Sequence, residues 1–79
     1  MKLFNDVRNY IGENNFRMII YKDKLDIINY EKIIELSDNE IIVTSNKKIT
    51  VVGKNLKLNK MLNKEILILG EINKISFYE

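Results

Sequence analysis

From Phe16 to the C-terminus, apolar side chains recur at every second residue in short runs separated by Asn, Asp, Ser, Gly and Lys. Alternation of this kind gives a pleated strand one dry face and one wet face, and it does not match the 3.6-residue turn of a helix. It is cleanest in Lys48-Ile49-Thr50-Val51-Val52, Asn55-Leu56-Lys57-Leu58-Asn59 and Lys74-Ile75-Ser76-Phe77-Tyr78. The pattern predicts eight strands, over residues 16–21, 24–30, 33–36, 40–44, 48–52, 56–62, 65–69 and 72–78. Leu58, Met61, Leu62 and Ile66 also fit a helical stripe, but Asn59 and Asn63 are poor helix formers, which favours strand there too. Ile66-Leu67-Ile68-Leu69 is apolar on both faces and belongs in the middle of a sheet or under a covering element.

The links between these runs settle how the strands pair. Lys22-Asp23, Ser37-Asp38-Asn39, Ser45-Asn46-Lys47, Gly53-Lys54-Asn55, Asn63-Lys64 and Gly70-Glu71 are each too short for a crossover helix, so neighbours should run antiparallel as a meander. Gly53, Asn55 and Gly70 are the expected fold-determining turns. A faint repeat at a spacing of seventeen, Val51-Val52-Gly53 with Leu56 and then Ile68-Leu69-Gly70 with Ile72 and Ile75, fits one turn of a coiled β-stack repeated, although two hairpins with glycine at similar corners are the preferred reading. Eight strands in one open sheet would expose an apolar face and two edges. The expected fold is therefore mainly β, a small antiparallel barrel or two-layer sandwich.

The first fifteen residues differ. Leu3, Phe4, Val7, Tyr10 and Ile11 fall at helical spacing, and Gly12 stands where a left-handed cap would end the helix. The expectation is a short amphipathic N-terminal helix with a polar linker over residues 1–15, followed by a single β domain over 16–79. Seventy-nine residues hold one small domain whose folding hides only roughly 60% of the unfolded surface.

Composition then narrows the chemistry. Cysteine and histidine are both absent, which removes disulfides, thiolate nucleophiles, imidazole bases and most transition-metal sites. Fourteen isoleucines and no alanine make an alphabet suited to strands. No apolar run exceeds four residues, so neither a bilayer-spanning segment nor a signal-peptide core is expected, and a cytoplasmic location follows unless a partner carries the chain elsewhere. No cofactor is expected.

Three sets of residues are candidates for function. Asp23 with Asp26 and Asp38 with Glu40 are the nearest carboxylate clusters, and a carboxylate hydrolase would need two acids flanking a cleft. Their positions at turns suit ordinary turn chemistry better. Lys47, Lys48, Lys54, Lys57, Lys60 and Lys64 are the material for a single-stranded nucleic-acid binder, yet residues 47–64 contain no aromatic side chain on which a base could stack. Lysines beside apolar strand residues commonly keep sheet edges soluble, and that reading is preferred. Asn29 and Tyr30 form the third set: an Asn inside the expected 24–30 strand, whose apolar residues are Leu25, Ile27 and Ile28, points to a bend or a backbone cap, with partner contact as the functional alternative.

Taken together, Ile27-Ile28-Asn29-Tyr30, Ile33-Ile34, Ser37-Asp38, Ile41, Val43, then Ile49-Thr50-Val51-Val52-Gly53-Lys54-Asn55-Leu56-Lys57-Leu58 and Ile68-Leu69-Gly70-Glu71-Ile72-Asn73-Lys74-Ile75-Ser76-Phe77 resemble the YabP/YqfC family of sporulation proteins over roughly residues 16–78. The chain departs from that pattern at Lys22-Asp23, where the resemblance would place a Gly-Asn turn. The resemblance implies a non-catalytic adaptor in the mother-cell cytoplasm; that it forms a homo-oligomer is expected separately, because strand edges left open by incomplete closure recruit another copy. The adaptor would act in spore morphogenesis or coat assembly through contacts with other sporulation proteins, at a membrane surface where the partner is membrane-embedded.

Overall fold

A computed structural model of the chain describes residues 8–11, 15–61 and 64–78. These residues form seven strands: β1 Arg8–Ile11, β2 Arg17–Ile20, β3 Lys24–Ile28, β4 Lys32–Leu36, β5 Glu40–Thr44, β6 Lys48–Lys60 and β7 Glu65–Tyr78. All pair antiparallel in one sheet of order β1-β2-β3-β7-β6-β5-β4. Two meanders, β1-β2-β3 and β4-β5-β6-β7, are joined by β7 returning to lie beside β3. No pairing links β1 to β4, so the barrel expected as one alternative is not closed among the described residues.

The expected N-terminal helix is corrected in part. Arg8–Ile11 is a strand paired with Arg17–Ile20, because ladder bonds to β2 outweigh a helical spacing that rested on five residues with no alanine to support it. Residues 1–7 and 12–14, which include Gly12 and most of the linker, lie outside the described residues.

The eight expected strands become fewer and longer. The 48–52 run and the 56–62 run as far as Lys60 join as β6, and the 65–69 and 72–78 runs join as β7; Met61 follows the strand and Leu62 lies outside the described residues. Gly53-Lys54-Asn55 and Gly70-Glu71 are therefore bends within strands and not hairpin turns. Glycine marks a bulge or a close backbone approach as readily as a turn, and sequence alone does not separate the two. The β6–β7 ladder slips twice here, between Val52 and Gly53 and between Lys54 and Lys57.

Fourteen residues of straight strand would extend about 45 Å, yet the molecule measures 29 × 26 × 24 Å. The β6–β7 ribbon is bent at the glycines, and the sheet doubles over. One half-sheet holds β1, β2 and β3 with Glu65–Leu69 of β7 and Lys57–Lys60 of β6; the other holds β4, β5 and the start of β6 with the end of β7. Phe16, Met18, Leu25, Ile27, Ile66 and Ile68 from the first half join Ile41, Val43, Ile49 and Val51 from the second in one core cluster, with Leu56 and Ile72 beside the bend. Ile66-Leu67-Ile68-Leu69 is central, between β3 and β6, as its two-sided apolar character requires.

Backbone groups freed by the bend are recovered by the turn between β4 and β5. Gly53 N donates to Asn39 O at 3.0 Å and Leu56 N to Asp38 O at 2.8 Å. That turn is itself held by Ser37, whose hydroxyl lies 2.9 Å from Asn39 Oδ1 and accepts from Glu40 N at 3.0 Å. At the crossing the two strands leave no room for a side chain. A Cβ on Gly53 would collide with the Glu71 carbonyl, and one on Gly70 would sit 2.6 Å from Asn55 O. Gly70 also has φ +122 and Asn55 has φ +53, both in the left-handed half of backbone space.

Gly53→Ala and Gly70→Ala should each cost about 3 kcal/mol or more, because backbone atoms and not a flexible side chain must move. Alanine at Lys54, which is exposed between them, should change stability by less than about 0.5 kcal/mol. Urea denaturation followed by circular dichroism measures all three, and equal effects at the three positions would contradict the crossing.

Candidate functional site

The first of the expected site residues is taken up by the fold. β3 ends at Ile28, two residues before the expected boundary, since Asn29 adopts φ +65. Its amide donates to Lys64 O at 2.8 Å and its Nδ2 donates to Asn15 O at 2.9 Å. Asn15 and Lys64 have φ +62 and +61. Asn29 therefore ties three left-handed bends together, an accommodation Asn tolerates better than most residues. Tyr30 is partly buried against the core.

The six lysines do not converge. Residues directly opposite in a ladder share a face, so Lys57, opposite Leu69, lies on the same side as Lys24. Lys60 is opposite the core residue Ile66 and belongs to the other side. Lys48 faces Tyr78 and Thr44 in the second half-sheet, and Lys54 faces Glu71. Lys47 is in the β5–β6 turn and Lys64 in the bend just before β7. Nor, among the described residues, do these four acids frame a cleft together: Asp23 alone of them lines the open pocket beside Glu71 and Gly70. Asp23 is exposed in the β2–β3 turn and Asp38 in the β4–β5 turn, while Glu40 opens β5 and Asp26 lies mid-β3. Among the described residues no group of three or more acidic side chains is placed to hold a metal ion.

Pairing of β3 with β7 creates one juxtaposition that the sequence reading missed. Asp26 sits on the outer face between Ile19 and Leu67, with Glu65 its diagonal neighbour opposite Ile28. Asp26 Oδ1 is buried without a hydrogen-bond partner. Its carboxyl is raised to about 6 from 3.8, first by burial and then by the hydrogen bond and charge of Glu65, with Lys24 opposing. Lys24 is drawn partly aside, its Nζ 4.8 Å from the centre of the Tyr21 ring. Arg17 and Lys57 are the other cations on this face by register. No local signal at Glu65 announces the pair, which exists only because the two strands are adjacent.

The second half-sheet is open at both sides. Among the described residues β4 pairs only with β5, and β7 beyond Leu69 pairs only with β6. Ile34 and Leu36 on β4 are 56% and 57% exposed, and Tyr78 at the end of β7 is 53% exposed. Hydrophobic side chains beside unpaired backbone groups are the material of strand-to-strand association.

Because the folded form binds the Asp26 proton more tightly than the unfolded form, its contribution to stability is complete below pH 3.8 and disappears as pH rises through about 6. Asp26→Asn should therefore flatten the pH dependence across this window and stabilise the protein at pH 7.5, on the order of 1 kcal/mol once solvent screening is allowed for. Urea midpoints from pH 4 to 8 test this; parallel curves for the two proteins would contradict it.

Comparison with known proteins adds no identification: no family model matches the chain, and neither a curated protein nor a solved structure matches it.

Proposed function

We propose that this protein is a non-catalytic assembly adaptor of endospore formation, acting through protein contacts made at the open edges of a two-layer β fold. The observation that carries the reading is the half-sheet whose outer strands, β4 and the end of β7, each have one unpaired side among the described residues and exposed apolar residues along it. Such edges accept an added strand, with main-chain bonds giving affinity and alternate side chains giving selectivity. The resemblance of residues 16–78 to the YabP/YqfC family supplies the cellular setting: the mother-cell cytoplasm, beside membrane-embedded sporulation partners. Among the described residues no helix is long and apolar enough to cross a membrane. The absence of Cys and His leaves few groups for catalysis near neutral pH.

Deletion of the gene in its endospore-forming host should leave vegetative growth unchanged and sharply reduce the yield of heat-resistant spores. Complementation by the intact chain should restore that yield. Full spore yield in the deletion strain would overturn the proposal.

A further inference from the structure

β4 is the more unusual of the two outer strands of the second half-sheet. Lys32 is opposite Thr44 and Ile33 opposite Val43, but Glu35, not Ile34, is opposite Ile42. Ile34 is thus the extra residue of a bulge. The bulge brings Lys32 and Glu35, three residues apart, onto one face, since Thr44 and Ile42 are two apart on β5. Ile33 packs against the core and Leu36 is opposite the buried Ile41, so both belong to the other face. Lys32, Glu35, Ile34 and Leu36 are all exposed.

A bulge and a lysine on an edge strand ordinarily deter a foreign strand. A two-fold-related copy is the partner that carries the matching irregularity and the complementary charges. With the axis normal to the sheet between Ile33 and Ile34, antiparallel pairing sets Lys32 opposite Glu35 of the second copy and Glu35 opposite its Lys32. Ile33 then meets Ile34 of the second copy, and the reverse. Charges stay on one face, and the isoleucines meet at the paired bulges. Directly opposed unlike charges favour a register, and like charges oppose it.

We infer that β4 is a homodimerisation edge, pairing Lys32-Ile33-Ile34-Glu35 antiparallel with the same segment of a second copy. The inference rests on the adaptor reading only in taking open edges as contact surfaces. The contact is isologous and therefore closes at two copies. It leaves the β7 edge of each copy facing outward for another partner, so that the dimer presents two such edges.

Sedimentation velocity of the full chain from low to high micromolar concentration tests it. The protein should form a dimer. Lys32→Glu alone and Glu35→Lys alone should each weaken dimerisation about tenfold or more, because each places like charges opposite one another twice per dimer. An equimolar mixture of the two variants should recover wild-type affinity as a heterodimer, since every opposed pair is then unlike. Circular dichroism should be unchanged for both, as both side chains are exposed. A wild-type chain that stays monomeric, variants that dimerise like wild type, or a mixture that does not recover would each overturn the inference. A monomer combined with a sporulation defect in the deletion strain removes the dimer and leaves the adaptor reading standing; a dimer in a strain that sporulates normally does the reverse.

Discussion

The fold depends on two strands crossing closely enough that their backbones nearly touch. At Gly53 and Gly70 the β6–β7 ribbon bends, and each glycine faces the carbonyl of the opposite strand where any side chain would collide. Without that crossing the ribbon would run straight, and its two apolar half-faces would look outward into water. With it, one sheet supplies both walls of one core, and hydrophobic burial over a dozen side chains follows. The slips in register at the same place are the geometric means of the bend, because a bulge increases local twist. The Ser37-Asp38-Asn39 turn holds the freed amides of Gly53 and Leu56, so a loop far off in sequence completes the corner.

That same bend explains the open edges. Doubling the sheet buries its inner faces but, among the described residues, leaves β1 and β4 at the ends of the strand order with one neighbour each, and β7 beyond Leu69 with β6 as its one neighbour. β4 has a lysine, a glutamate and a bulge, the usual protections, yet also carries two of the most exposed large hydrophobic residues. A strand shielded against general partners while apolar is suited to one specific partner. The adaptor proposal and the dimer inference both draw on this feature, the first through edges in general and the second through the register that Lys32 and Glu35 select.

Much of the strand content was legible in the sequence because period-two alternation is a local property. Runs such as Lys48–Val52 and Lys74–Tyr78 lie in strands, and the short links made antiparallel pairing unavoidable. Three features were not legible. Gly53 and Gly70 carry the same local signal whether a strand turns back or bends, and only the opposing backbone decides. Arg8–Ile11 looked helical by spacing, but pairing with β2 determines its state. Asp26 was visible as an acid near Asp23, whereas its real neighbour Glu65 is thirty-nine positions away and is brought close by the β3–β7 ladder. The role of Asn29 was better anticipated: an Asn in an apolar run signalled a bend, and its side chain does bind backbone there.

The central claim is that residues 48–60 and 65–78 are two long strands bent together, and not four short strands in successive hairpins. Inter-strand nuclear Overhauser effects on isotope-labelled protein measure this directly. Cross-strand contacts are expected for Val51 with Ile75, Gly53 with Ile72, and Leu58 with Ile68, continuous through the bend except at its two slips. Ladder contacts folding Val52 back onto Leu56, or Leu69 back onto Ile72, would contradict it.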